Sequence, residues 1–125
     1  MSSDPRQRIL DAISPALPAR WRKEPYTVRA VGTLAKPTVF LDYSSINHDG
    51  MPAGQVFDGY EVALVSAHQD YVKAEKEIDP VARAVIAVLD AATDLAWSTA
   101  QKRGVGDYLA WFITVQQISH TTPQE

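Results

Sequence analysis

Asp79-Pro80-Val81-Ala82-Arg83-Ala84-Val85-Ile86-Ala87-Val88-Leu89-Asp90-Ala91-Ala92-Thr93-Asp94-Leu95-Ala96-Trp97-Ser98-Thr99-Ala100-Gln101 reads as one amphipathic helix. Asp79 offers a carboxylate to free backbone N–H groups, and Pro80 suits a first helical position, where its missing N–H costs nothing. Val81, Val85, Val88, Leu89, Ala92, Leu95 and Ala96 then fall within an arc of roughly 120° at helical spacing, with Arg83, Asp90 and Asp94 on the far side. Lys102-Arg103-Gly104 closes the element with cations at the negative pole and a glycine for the cap. Alternating apolar stretches stand on either side, residues 59–68 before it and 108–118 after it.

Outward from this helix the chain reads as α-β-β-β-α-β. Asp4-Pro5-Arg6-Gln7 has the form of a capping box opening a first helix, with Ile9, Leu10 and Ile13 apolar and a stop before Pro15. Residues 26–31 and 38–43 alternate as two strands in a hairpin-like antiparallel pair. Residues 44–58 read as a long loop with an Asp49-Gly50 turn, whose Ile46, Met51, Val56 and Phe57 would be wasted on water and so should pack on something. Residues 60–68 form a third strand, residues 69–78 a charged connection, and residues 108–118 the last strand. The expected fold is α+β: a four-stranded, largely antiparallel sheet with an N-terminal helix and a long helix between strands three and four, both on one face. Residues 1–118 make one domain, and 119–125 a flexible tail. Strand four carries large residues on both sides, so the sheet's second face should be partly covered.

Bulk properties exclude several classes. With 46% apolar and 22% charged residues, the 125-residue chain is ordinary for a soluble domain. A net charge of −3 argues against a general nucleic-acid binder. The absence of cysteine removes disulfides and thiolate metal sites. No apolar run reaches the roughly 20 residues of a membrane span, and Met1-Ser2-Ser3-Asp4-Pro5 has no signal-peptide character, which leaves the cytoplasm as the default compartment.

Chemistry is sparse. His48, His68 and His120 lack any metal-ligand spacing, and Asn47-His48-Asp49 reads as a turn. No nucleophile elbow or phosphate-binding glycine loop occurs. Asp42 and His68 read as a polar pair at a sheet end. Arg20-Trp21-Arg22-Lys23 reads as a solvated turn whose Trp21 covers the end of the core. No catalytic residue, metal or cofactor is expected. The remaining candidates belong to an interface: the loop residues Ile46, Met51, Val56 and Phe57, and a second helical stripe of Ile86, Asp90 and Trp97. That stripe exists only if the helix continues past Asp94; a break near Thr93-Asp94 would swing Trp97 back to the core.

A short first helix, a crossing bounded by Pro15 and Pro18, a strand pair and a long loop precede Tyr60-Glu61-Val62-Ala63-Leu64-Val65. An acidic connection, the helix ending in Trp97-Ser98-Thr99-Ala100, and Tyr108-Leu109-Ala110-Trp111-Phe112-Ile113-Thr114-Val115 follow. This layout resembles the tail terminator (tail completion) proteins of long-tailed bacteriophages over nearly the whole chain. The resemblance implies a non-enzymatic homohexameric ring that caps the tail tube, stops its polymerisation and presents the head-joining surface. The implied partners are other copies of the chain, the major tail tube protein and a head-tail connector protein, with DNA passing unbound through the lumen. The implied location is the tail-neck junction of a virion assembled in the host cytoplasm. A head-tail connector or head-closure neck protein shares this setting, and a small ligand-binding or enzymatic α+β domain using Asp42 and His68 is the alternative of another class.

Overall fold

The computed structural model describes residues 5–26, 34–48, 50 and 52–120. Its long helix, α2, is Tyr71–Ala91, and it starts well before the Asp79-Pro80 pair. Asp70 is the cap: its side chain accepts from the Lys73 N–H at 3.0 Å, and its carbonyl accepts from the Ala74 N–H at 2.8 Å. Pro80 is interior, although a proline there forfeits one backbone hydrogen bond and crowds the carbonyl four residues back. The helix continues because Ala74, Ile78, Val81, Ala82, Val85 and Leu89 make one unbroken buried face across it. Pro80 and Lys76 are both exposed, so water can satisfy the carbonyl that the proline leaves open.

At the other end α2 stops ten residues short of Gln101. Ala92 turns to extended backbone (φ −77°, ψ 134°), its N–H shared between the Val88 and Leu89 carbonyls. After a bend at Thr93 and Asp94, the residues expected to finish the helix form a strand, Leu95–Val105. Trp97 pairs with Val115 and Ala100 with Ile113, so β4 holds one more residue than its partner between those positions. This bulge shifts the alternation by one. Leu95 and Trp97 before it, and Ala100 and Lys102 after it, therefore all face α2, a spacing that imitates helical periodicity.

The α1 helix, Pro5–Ile13, ends where the sequence places it, followed by a single 3-10 turn at Ser14–Ala16. Asp4 lies outside the described residues, and Gln7 donates to Asp11 at 2.8 Å. The strands are β1 (Arg22–Glu24), β2 (Thr38–Asn47), β3 (Gln55–Val65), β4 (Leu95–Val105) and β5 (Tyr108–His120). They form one five-stranded sheet in the order β1-β2-β3-β5-β4, with β1 and β2 parallel and the other pairs antiparallel. The four-stranded expectation is thus wrong on strand number, on the mixed pairing and on the helix bounds. The strand expected at residues 26–31 lies outside the described residues apart from Tyr26, which sits in an exposed bend.

The stretch read as a loop, residues 44–58, is mostly the outer half of a hairpin. The β2 and β3 arms stay paired out to Asn47 and Phe57, around a turn with Gly50 and Gly54 at positive φ. Between Tyr43 and Ser45 the register slips by one residue, and the Ser44 hydroxyl donates to the Gly59 carbonyl at 3.2 Å. Gly59 stands opposite the bulge, where a Cβ would require the Ser45 hydroxyl to rotate away.

Both helices pack on one face of the sheet. Ile9, Leu10 and Ile13 of α1 and the buried face of α2 meet Val39, Leu41, Tyr60, Val62, Leu64, Ile113 and Val115. The opposite face has a smaller cluster of Phe40, Ala63, Val65, Tyr108 and Ala110, with Leu34 and Phe112 packed against it. Beyond that cluster it is polar: Arg103 pairs with Glu61 at 2.8 Å and lies over the Phe112 ring at 3.9 Å. No described helix is long and apolar enough to cross a membrane.

These bounds have energetic consequences. Pro80→Ala restores an interior hydrogen bond and should raise stability by about 1 kcal/mol or more, read by urea unfolding. A helix beginning at Asp79 would lose stability from the same change. Asp70→Ala should cost about 1 kcal/mol through the lost cap.

Candidate interaction surface

Along the seam between α2 and the β4–β5 hairpin, the helix turns its acids inward to the sheet. The Asp79 carboxylate accepts from the Trp111 indole at 2.7 Å and lies 3.2 Å from the Lys102 ammonium. That ammonium also meets Glu75 at 2.7 Å and sits 5.1 Å over the Trp111 ring. Its hydrogen bond to Glu75 outweighs partial burial and holds the Lys102 pKa above its ordinary value. Three helical turns further on, Asp90 accepts from the Trp97 indole at 2.6 Å. Glu77 points to the β3–α2 connection, taking the Ser66 hydroxyl at 2.7 Å, the Ala67 N–H at 2.9 Å and Arg20 at 2.6 Å.

Ile86, Asp90 and Trp97 are therefore not one helical stripe. The break at Thr93-Asp94 puts Trp97 on β4, half-buried against the main core, and Ile86 packs partly against the same core. The three residues are still brought close, through the Asp90–Trp97 hydrogen bond.

The inward turn of the acids leaves α2 with a cationic outer face that the sequence reading missed. Lys73, Lys76 and Arg83 are exposed, and no ion pair among the described residues involves them. Their spacing of three and seven residues would have marked one face had the helix been started at Asp70. Beside Arg83 a cavity of about 420 Å³ opens, lined by Asp79, Pro80, Ala82, Arg83, Ile86 and Trp111.

The hairpin carries the other candidates. Ile46 is 66% exposed on the outer arm of β2, on the helix side of the sheet. Val56 and Phe57 are half-buried on β3, and Met51 lies outside the described residues. At the base of the arm the Tyr43 hydroxyl donates to the buried Asp58 carboxylate, and the Tyr43 and Tyr60 rings stack at 4.7 Å. Desolvation first, and the Asp58 hydrogen bond second, push the Tyr43 pKa up. The Arg6 guanidinium of α1 lies over Tyr26 at 4.5 Å and donates to the Pro25 and Leu41 carbonyls, which fixes α1 to this corner.

Asp42 and His68 are not brought together. Asp42 stands opposite Glu61, whereas His68 follows Val65, whose partner Thr38 is roughly 13 Å further along β2. His68 faces Glu77 instead, at 3.8 Å. The basic cluster is tied up locally: Arg22 pairs with Glu24, Arg20 with Glu77, and Trp21 is buried as a cover on the core. His48 bonds the Pro52 carbonyl across its turn. Among the described residues no three His, Asp or Glu side chains converge as metal ligands.

No family model matches the chain, and no curated protein sequence matches it. Among solved structures, a chain of the virion of a native gene transfer agent particle shares its fold with a TM-score of 0.54 at 14% identity, over 92% of this chain and 91% of that one. A crystal structure from Akkermansia muciniphila aligns at a TM-score of 0.44 and 7% identity, over 96% of this chain and 74% of that one. At such identities the likeness is one of fold.

The tie between α1 and the turn after α2 has a pH dependence. Arg8 grips Asp94 with two hydrogen bonds, 2.6 and 2.7 Å, and these hold the Asp94 carboxyl below its usual pKa. A lowered pKa adds stability above the unfolded value of about 4, and that stability is lost as pH falls through the folded value. Both side chains are about two-fifths exposed (41% and 43%), so screening limits the effect to roughly 0.5–1 kcal/mol. Asp94→Asn should lower stability by that amount at pH 7 and make no difference near pH 2, measured by urea unfolding at both.

Proposed function

We propose that this chain is a structural protein of a phage-like or gene-transfer-agent-like virion, and within it the tail terminator. It forms a ring, a hexamer, that caps the tail tube, halts subunit addition and presents the surface to which the head connector joins. The observation that carries this reading is the fold shared almost end to end with a chain of a gene transfer agent virion. A domain whose charged groups are largely spent on ion pairs, turns and helix-to-sheet ties suits such a role.

In the ring, the hairpin residues Ile46, Met51, Val56 and Phe57 and the seam residues Ile86, Asp90 and Trp97 lie at contacts with neighbouring subunits or the tube. DNA passes through the lumen without specific binding, and an acidic chain favours passage over retention.

Electron microscopy of particles made without this protein tests the assignment. Tails of abnormal, uncontrolled length are the expected result. Tails of normal length that fail to join heads would overturn it in favour of a head-tail connector.

A further inference from the structure

The sheet ends in two unlike edges. β1 spans three residues, whereas β4 spans eleven and pairs with β5 alone. No backbone hydrogen bond among the described residues closes the outer side of β4. In an antiparallel pair about half of a strand's N–H and C=O groups point away from its partner, so β4 holds a row of them toward water. A long edge is ordinarily guarded by proline or free lysines. β4 has no proline, and its two cations are turned aside: Lys102 goes to Glu75 and Asp79 over one face, Arg103 to Glu61 over the other. Beyond the bulge, pairing with β5 is regular from Ala100 to Val105, so this stretch keeps the geometry that another strand needs.

A cavity lies along the same edge. Glu75 and Asp79 meet Lys102, and Asp90 meets Trp97, so the flank of α2 that holds these acids overhangs β4. Arg83 and Ile86 share that flank, at helical spacing from Asp79 and Asp90. With Pro80, Ala82 and Trp111 they line the cavity of about 420 Å³. Trp111 stands opposite Lys102, and Ala100, the helix-side residue of β4 before Lys102, has only a methyl group to offer the space. A strand laid along β4 continues the sheet at about 4.8 Å spacing and sends every second side chain to the helix side. The one opposite Ala100 enters the cavity.

We propose that this edge binds an extended segment of a different protein, main chain to main chain along Ala100–Val105, with a large apolar side chain against Ile86 and Trp111. Backbone bonds then give affinity and the cavity gives selectivity. A second copy does not fit. Its β2, β3 and β5 are paired on both sides, and its β1 is too short. Among the helix-side residues of its β4, Leu95 is buried, Ala100 and Gly104 are small, and Trp97 and Lys102 are already held. The site goes beyond the ring reading and requires no particular oligomeric state.

Selection of a displayed random heptapeptide library on the whole protein tests the site. Enriched peptides should carry β-branched residues around one large apolar residue. A synthetic copy, once bound, should slow hydrogen exchange of the amides within residues 100–105. Methylating its amide nitrogens one at a time should weaken binding at least about tenfold at every second position and little at the positions between. Ala100→Leu, which fills the cavity from within, should lower affinity by a similar factor and keep the parent's circular dichroism. Failure to enrich any peptide, binding indifferent to the methylation pattern, or exchange slowed elsewhere than β4 would overturn the proposal. Full affinity in the Ala100→Leu protein would remove the cavity from it. Slowing of β4 amides with protein concentration alone would overturn it in favour of a second copy.

Discussion

The extra residue at Ser98-Thr99 lets β4 lie beneath α2, and much of the structure depends on that alignment. A strand presents alternate side chains to alternate faces, so without the shift Ala100 and Lys102 would turn to the far side of the sheet. Lys102 would then lose Glu75 and Asp79, and the helix-to-sheet seam would keep only its two indole hydrogen bonds, Trp97 to Asp90 and Trp111 to Asp79. The second slip, at Ser44, does the same for the hairpin, keeping Ile46 on the helix side past the point where α1 gives cover. Both bulges are local departures from regularity that preserve which side of the sheet is which.

The seam also explains an electrostatic arrangement that net charge conceals. By composition the chain is acidic and α2 is mixed, yet the acids of α2 are held by Lys102, Arg20, Ser66 and two indoles, whereas its cations are held by nothing described. The surface field of an element is set by which charges find partners inside the fold. Here that turns a helix with four acids and three cations, residues 71–91, cationic toward solvent.

Much of this architecture was legible in the sequence. The stop of α1 at Ile13 and the two-sided apolar character of β5 follow from local rules that nothing in the fold opposes. The errors share a physical source. Pro80 has the local chemistry of a helix start, and only the burial of Ala74 and Ile78 ahead of it, a tertiary effect, overrides that preference. The bulge in β4 spaces its inward residues at two, three and two, a pattern that passes for helical until the pairing with β5 is known. The outer arm of β2 alternates weakly because it is exposed on both faces, so no buried face wrote a period into residues 44–47. The interface candidates divide: the break near Thr93-Asp94 that the sequence leaves open returns Trp97 to the core, while Lys73 and Lys76 are hidden in a stretch that reads as connection.

The order of the strands sets two hairpins, β2–β3 and β4–β5, side by side in the sheet, with α2 between them in sequence. Pairing within each hairpin brings together residues near in sequence, so both can form early and independently. The β3–β5 junction is different in kind: it joins Val65 to Ala110 and Gln55 to His120 across the whole of α2 and β4. Closing that span carries the largest loop-closure entropy in the sheet, and α2 shortens the gap to be closed once it has formed. Until the junction zips, β3 and β5 each present a bare edge. That one closure is therefore the step expected to set how long a newly made chain stays open to mispairing with its neighbours.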